Sequence, residues 1–270
     1  MSREINYKVS VLVANYNNEK YLDQCLNSLL NQSYKNIEVV VLDDSSTDRS
    51  LEFIKKYKDN IRIVKKINNK TTIPSYDQME SYFECLKVCT GEIVFLCDSD
   101  DYFDLKKIEI IVNKFRDNND YVMIYDLPIL KFQNKIKFLK KKKKFFKNYW
   151  PYFPPTSCIS IRKKNFLDYL NLINFRNFPD IWLDFRLGIL SKYIFKNLVF
   201  IEKNLTYYRQ TETNISSNFK FLSKNWWIRR NQAHEYIKFF FRQNTIYYKR
   251  NLDFLITKII NKFLLWKKKF

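Results

Sequence analysis

The stretch from Gly91 to Asp104 constrains the fold more than any other. Gly91 opens an apolar run, Ile93 to Cys97, which Asp98, Asp100 and Asp101 cut off. A continuous apolar run of this length suits a strand buried on both faces. Packing does not explain the carboxylates at its end. Two like charges about 4 Å apart repel by roughly 4 kcal/mol at an effective dielectric near 20. A divalent cation removes that cost, and hard oxygen ligands suit Mg2+ or Mn2+. Taken alone, the stretch also fits a solvated acidic turn that caps the next helix.

The same layout occurs twice upstream. Lys8 to Ala14 reads as a buried strand ending in Asn15-Tyr16-Asn17-Asn18, and Asn36 to Leu42 as a second ending in Asp43 to Asp48. Between and beyond them come helical patterns: Tyr21, Leu22, Cys25, Leu26 and Leu29, then Leu51, Ile54 and Tyr57 on one face. A third strand at Ile61 to Ile67, a helix at Ser75 to Cys89 and another near Leu105 to Phe115 complete the series. Strands alternating with helices imply an α/β chain with a largely parallel sheet. Ligands bind such sheets outside the carboxyl ends of the strands. The three polar clusters therefore converge on one edge.

After Asp120 the pattern loosens. Tyr121 to Asp126 looks like a strand, and Ile129 to Leu139 alternates into the basic run Lys140-Lys144. Trp150 to Pro155 reads as a rigid loop, Ser157 to Ile161 as a short strand and Lys164 to Leu172 as a helix. Asp180 to Lys192 is strongly helical, and Leu198 to Ile201 and Leu205 to Arg209 form short strands. Two basic, aromatic-rich helices follow near 220–243 and 250–268. The last places Leu252, Leu255, Ile256, Ile259, Phe263 and Trp266 on one face with Lys258, Lys262 and Lys267 to Lys269 around it. Such a face packs on its own domain or lies in a membrane interface.

Composition narrows the partners. The 270 residues carry a formal net charge of +20, which fits nucleic acid, an anionic membrane or a phosphorylated substrate. Coding bias toward Lys, Asn, Ile, Phe and Tyr explains the lysine excess equally well. Five cysteines in apolar contexts and a single His leave no zinc pattern, so reduced thiols in a cytoplasmic protein are expected. No apolar run is long enough for a transmembrane helix, and Val9 to Ala14 is too short for a signal peptide.

Four ordered segments resemble the family 2 glycosyltransferases: Val9 to Asn17, Tyr21 to Tyr34, Val41 to Asp48 and Gly91 to Asp101. The resemblance implies a GT-A fold over residues 1–215, with 216–270 as a basic helical C-terminal extension. It implies an inverting hexosyl transfer from a nucleotide-diphosphate sugar, UDP-linked by expectation, assisted by Mn2+ or Mg2+. By motif, Asn15 and Tyr16 line the base pocket, Asp44 accepts a hydrogen bond from the base and Asp43 supports that turn. Asp98 sits near the ribose and Asp100 holds the metal, with Asp101 as a supporting residue or a further ligand. The general base stands before a helix, six residues ahead of an Arg, which selects Asp180 over the neighbouring Asp184. Pro179 replaces the Glu that usually precedes it. Arg209 contacts the diphosphate or is structural.

Three departures accompany the match. Ser45 stands for the Gly of Asp-Asp-Gly-Ser, Thr211 for a His, and Ser75-Tyr76-Asp77-Gln78 where an Ala-Arg-Asn-x-Gly segment belongs. The acceptor implied is a hydroxyl of a cell-surface glycan or a lipid-linked saccharide. The basic C-terminal helix and Lys140-Lys144 suggest peripheral contact with anionic lipid at the inner face of the cell membrane. The rival readings are a nucleic-acid-binding basic module and a metal-dependent nucleotidyltransferase. Nucleic acid is disfavoured because Lys and Arg are scattered while the carboxylates gather. The Asn15 to Asn18 turn lacks the Gly-rich basic loop of a nucleotidyltransferase.

Overall fold

Strand β1 (Val9–Asn15) is the organising element of the computed structural model. The structure describes residues 5–66, 71–133, 135–140, 153–173, 177–196, 198–211, 219–248 and 251–266. Side chains alternate along β1, so Val9, Val11 and Val13 join one apolar cluster and Leu12 the other. The same division runs through β2 (Ile37–Asp43) and β4 (Ile93–Asp98): Val39, Val41, Phe95 and Cys97 face one way, Val40, Leu42, Val94 and Leu96 the other. A sheet apolar on both faces must be covered on both, and helices do this.

On one side lie α1 (Glu19–Leu30), α2 (Ser50–Lys56) and α4 (Lys107–Asp117), through Leu22, Cys25, Ile54, Ile108 and Ile111. The opposite side is covered by α3 (Pro74–Val88), α5 (Lys163–Ile173), α6 (Leu183–Leu190) and α7 (Lys224–Gln243). From α7, Ala233, Tyr236, Ile237, Phe240 and Phe241 enter the same cluster as Leu12 and Leu96. Burying one such large side chain contributes about 1.5–3 kcal/mol.

In the sheet, β3 (Arg62–Val64), β2, β1 and β4 run parallel. Next to β4, β8 (Ile159–Arg162) inserts antiparallel, followed by β6 (Met123–Lys131) and β9 (Leu198–Arg209), which restore the original direction. Two short strands add to this frame: β5 (Tyr102–Phe103) pairs with β9, and β7 (Ile136–Phe138) with β6. The carboxyl ends of β1, β2, β4 and β9 consequently share one edge.

Four local expectations change. Leu51 points outward, and Ser50 and Ile54 are the covered positions of α2. The two short strands expected at 198–209 are one strand with register shifts against β6. The helix expected from Asp180 begins at Leu183, because Trp182 is extended (φ −69°, ψ 157°). Arg186 occupies the carbonyls upstream: its Nε donates to Ile181 at 2.8 Å, and Nη2 donates to Asn177 at 3.2 Å and to Phe178. Finally, the described side chains of the apolar stripe of α8 (Leu252–Trp266) point away from the domain. Phe254, Thr257 and Asn261 face α7, and Leu252, Leu255, Ile256, Ile259 and Phe263 are exposed.

Candidate active site

The register of the parallel strands brings the first three polar clusters together. Asn15 lies directly opposite Asp43, and Ala14 opposite Asp98. Buried Asn15 donates from Nδ2 to Asp43 Oδ1 at 2.6 Å and to Ser46 Oγ at 3.3 Å. Ser46 in turn donates its N–H to Asp43 Oδ2 at 3.0 Å and its hydroxyl to Oδ1 at 2.6 Å. Asp43 therefore ties Asn15 to the Ser46 turn. Ser45 sits in the left-handed region at φ 59°, which is the reason glycine suits that position. Tyr16 is exposed at the mouth of this edge.

Asp44 is buried and bonded to Lys66. The same ammonium lies 3.4 Å from Asp77 and 3.5 Å from Glu80 on α3. Burial pulls the Lys66 pKa down, but the three carboxylates outweigh it and hold the group above its ordinary value. No motif marks Lys66; the signal available was its place just beyond β3, on the edge where the other clusters gather.

The end of β4 carries the acidic cluster. Asp98 accepts on Oδ1 from Gln78 Nε2 at 2.6 Å and from the Tyr82 hydroxyl at 2.8 Å. Gln78 and Tyr82 are one turn apart on α3, a spacing that puts both on one face. Burial pushes Asp98 up, and these two hydrogen bonds oppose the shift. Asp100 is half-buried and pushed up to about 7, first by desolvation and then by the Asp98 charge, with Arg209 acting against both. Asp101 is fully buried and has both oxygens engaged: Ser157 Oγ donates to Oδ2 at 2.6 Å, and the Arg209 N–H to Oδ1 at 2.9 Å. Its pKa is driven well above the usual range by burial and by Asp100.

Ser157 is the hub of this edge, and no motif marks it. Its Oγ also accepts the Asp98 N–H at 3.0 Å, and its carbonyl accepts from Lys107 Nζ at 2.6 Å. Lys107 is buried with Asp126 at 3.0 Å and donates to Thr206 Oγ1 at 2.6 Å. Thr206 completes the ring by donating to Asp126 Oδ2 at 2.6 Å. A buried charge pair depends on hydrogen bonds to its remaining atoms; Thr206 and the Ser157 carbonyl supply them here, while Asp126 Oδ1 keeps only its ion-pair contact with Lys107. The Arg209 guanidinium lies over the Tyr21 and Tyr102 rings, at 4.8 and 5.0 Å, and bonds to Gln24. This aromatic setting holds it beside Asp100.

Asp180 lies in the turn ahead of α6, where Gln232 Nε2 donates to Oδ2 at 2.6 Å. Its carbonyl accepts from Arg229 Nε at 3.2 Å, and the Arg229 guanidinium stacks 3.6 Å from the Trp182 ring. Asp184 lies one turn further on and takes its own neighbour's N–H, that of Phe185, at 2.8 Å. Burial pushes Asp184 up to about 8; the Asp98 charge adds to this, and Arg229 counters it. Both acids thus share Arg229, and the Asp98 charge on β4 reaches Asp184. The sequence pointed to neither Arg229 nor Gln232, which arrive from α7.

A hard divalent cation suits this edge in one respect. Mg2+ and Mn2+ are commonly held by one or two carboxylates plus substrate phosphates rather than by an all-protein cage. Among the described residues no group of three metal-ligating side chains occurs, but Asp100 is a crowded carboxylate that a cation would relieve. The segment that carries Arg209 and Thr211 continues into residues 212–218, which lie outside the described residues, as does most of Lys140-Lys144.

Comparison with known proteins follows the same outline. The model of the family described as glycosyl transferase family 2 matches residues 10–170. The poly(ribitol-phosphate) beta-N-acetylglucosaminyltransferase TarS of Staphylococcus aureus is 36% identical over 105 residues, covering 38% of this chain and 18% of that protein. The chain spans well under half the length of the curated relatives it matches. Among solved structures, S. aureus TarS 1-349 in complex with UDP-GlcNAc superposes with a TM-score of 0.60 at 20% identity, over 85% of this chain and 66% of that one. The mannosyltransferase PcManGT of Pyrobaculum calidifontis, in complex with GDP-Man and Mn2+, gives 0.54 at 17% identity, over 93% and 69%. At these identities the likeness is one of fold, and that fold is GT-A.

Proposed function

The chain belongs to glycosyl transferase family 2, and we propose on that footing that it moves one sugar from a nucleotide-diphosphate donor to an acceptor hydroxyl with inversion. The observation that carries this reading is the meeting of Asn15, Asp43, Asp98 and Asp100 on one sheet edge. The expected donor is UDP-linked, in line with the UDP-GlcNAc held by TarS. The acceptor is a hydroxyl of a surface glycan or a lipid-linked saccharide, reached at the cytoplasmic face of the membrane.

In this reading Tyr16 stacks on the base and Asp44, poised by Lys66, accepts its N–H. Asp98, braced by Gln78 and Tyr82, meets the ribose. Asp100 would hold Mn2+ or Mg2+; when bound, the ion neutralises charge developing on the departing diphosphate. Asp101 is assigned to support, since both its oxygens are used within the fold. Arg209 lies beside Asp100 to meet a phosphate oxygen.

Asp180 takes the acceptor proton, oriented by Gln232. One observation favours Asp184 instead: a base works best with a pKa near the working pH, and Asp184 is pushed up to about 8. The two single Asn variants decide. The residue whose loss abolishes transfer while donor binding persists is the base.

The core claim is tested by thermal shift with a panel of nucleotide sugars and Mn2+ or Mg2+. One donor should stabilise the protein, and Asp100→Ala should remove the effect. If no nucleotide sugar stabilises the chain with either ion, the donor assignment fails.

A further inference from the structure

Helix α8 is turned inside out relative to an ordinary surface helix. Its covered face presents Phe254, Thr257 and Asn261 to α7, with Asn261 Nδ2 donating to the Trp227 carbonyl at 2.9 Å. Its outer face presents Leu252, Leu255, Ile256, Ile259 and Phe263, each between 41% and 72% exposed. Their spacing of three and four residues gathers them into one stripe along the helix. Scattered exposed apolar residues are unremarkable, but a contiguous row of five marks a surface that meets something.

Charge says what that something is. Asp253 is the only acid in α8, and it is turned toward α7, accepting from Arg230 Nη2 at 2.6 Å and lying 2.9 Å from His234 Nε2. On the outward side the ionisable side chains are cations: Lys262 is exposed, and Lys258 flanks the stripe while pairing with Glu235. The chain as a whole carries +20, so a second copy would meet this face against like charge, whereas an anionic surface would be drawn to it. An apolar stripe edged by Lys262 and by the Lys258–Glu235 pair, with no carboxylate of α8 itself on the outer face, matches a lipid headgroup boundary.

We propose that the outer face of α8 docks on an anionic lipid bilayer, with Leu252, Ile256, Ile259 and Phe263 entering the interface and Lys262 facing the headgroups. The contact is independent of sugar transfer, so it can be read without donor or acceptor. It would hold the chain flat on a membrane through the α7–α8 hairpin, which reaches the candidate site through Arg229 and Gln232.

The full chain is sedimented with vesicles of phosphatidylcholine mixed with phosphatidylglycerol, and with phosphatidylcholine alone. Binding is expected to the mixed vesicles, weakened by raising the salt from about 0.1 to 1 M as the Debye length falls from ~10 to ~3 Å. The double variant I259E/F263E should lower the partition constant on the order of tenfold or more while leaving the circular dichroism spectrum unchanged. Absence of binding to anionic vesicles overturns the proposal, as does binding that the double variant leaves intact. A lipid-free dimer in sedimentation velocity that the same variant disperses would assign the stripe to a second copy and overturn it too.

Discussion

Ser157 shows how one small side chain can carry more than the acids around it. Its hydroxyl accepts from Asp98 and donates to Asp101, so S157A leaves a buried carboxylate oxygen without its donor. Such an orphan costs roughly 1–3 kcal/mol, which urea unfolding would register. Donor-dependent thermal shift should fall as well, because Asp98 loses its backbone anchor. Asp184 offers a test by pH. Its pKa is pushed from 3.8 to about 8 on folding, so between those limits the folded chain keeps a proton that the unfolded chain releases. By linkage its contribution to stability falls as pH rises through that window. Asp184→Asn should therefore flatten the decline in Tm between about pH 5 and 8, and the variant should be the more stable protein at the upper end. A Tm profile parallel to that of the wild type would show that Asp184 titrates normally.

Among elements, β4 is the least forgiving. A Cβ on Gly91 would lie 2.4 Å from the Ser10 backbone nitrogen and 2.7 Å from the Val9 carbonyl carbon, both in the central strand. G91A must push β4 away from β1, and overpacking of this kind costs about 1–3 kcal/mol. Denaturant midpoints and the yield of folded protein would report it. The turn after β2 runs the other way: Ser45 holds φ 59°, so S45G removes left-handed strain worth roughly 1–2 kcal/mol, less the flexibility glycine adds to the unfolded chain. A small rise in Tm is expected. These elements were legible because their signals are local. Continuous apolar runs marked β1, β2 and β4, and a few adjacent polar residues marked Asn15, Asp43 and Asp98. What the sequence withheld is non-local: Ser157 meets Asp101 across 56 positions, and Gln232 meets Asp180 across 52. The start of α6 departs from the local pattern because Arg186 captures upstream carbonyls, a tertiary effect without a propensity signature. For α8 the periodicity identified the apolar stripe, but periodicity does not say which side a neighbour covers.

At the scale of the whole molecule, α7 is part of the core. Tyr236, Phe240 and Phe241 are almost wholly buried among side chains from β4, β6 and α6. F240A should cost about 3–5 kcal/mol in chemical unfolding, as large-to-small changes in a packed core do. A value near zero would mean that the helix adds nothing to the sheet. The site edge, too, is assembled from the entire length of the chain, and this has a kinetic side. The contact from Arg209 to Asp101 spans 108 residues, so a ribosome adding roughly 5–20 residues per second needs about 5–20 s between the two. During that interval the nascent chain presents Asp98, Asp100 and Asp101 without the strand that closes over them. High contact order slows folding for the same reason: distant segments must meet before any contact repays the loop entropy. Nucleotide-sugar binding should therefore be the last property a growing chain acquires, appearing only after β9 and α7 have left the ribosomal exit tunnel.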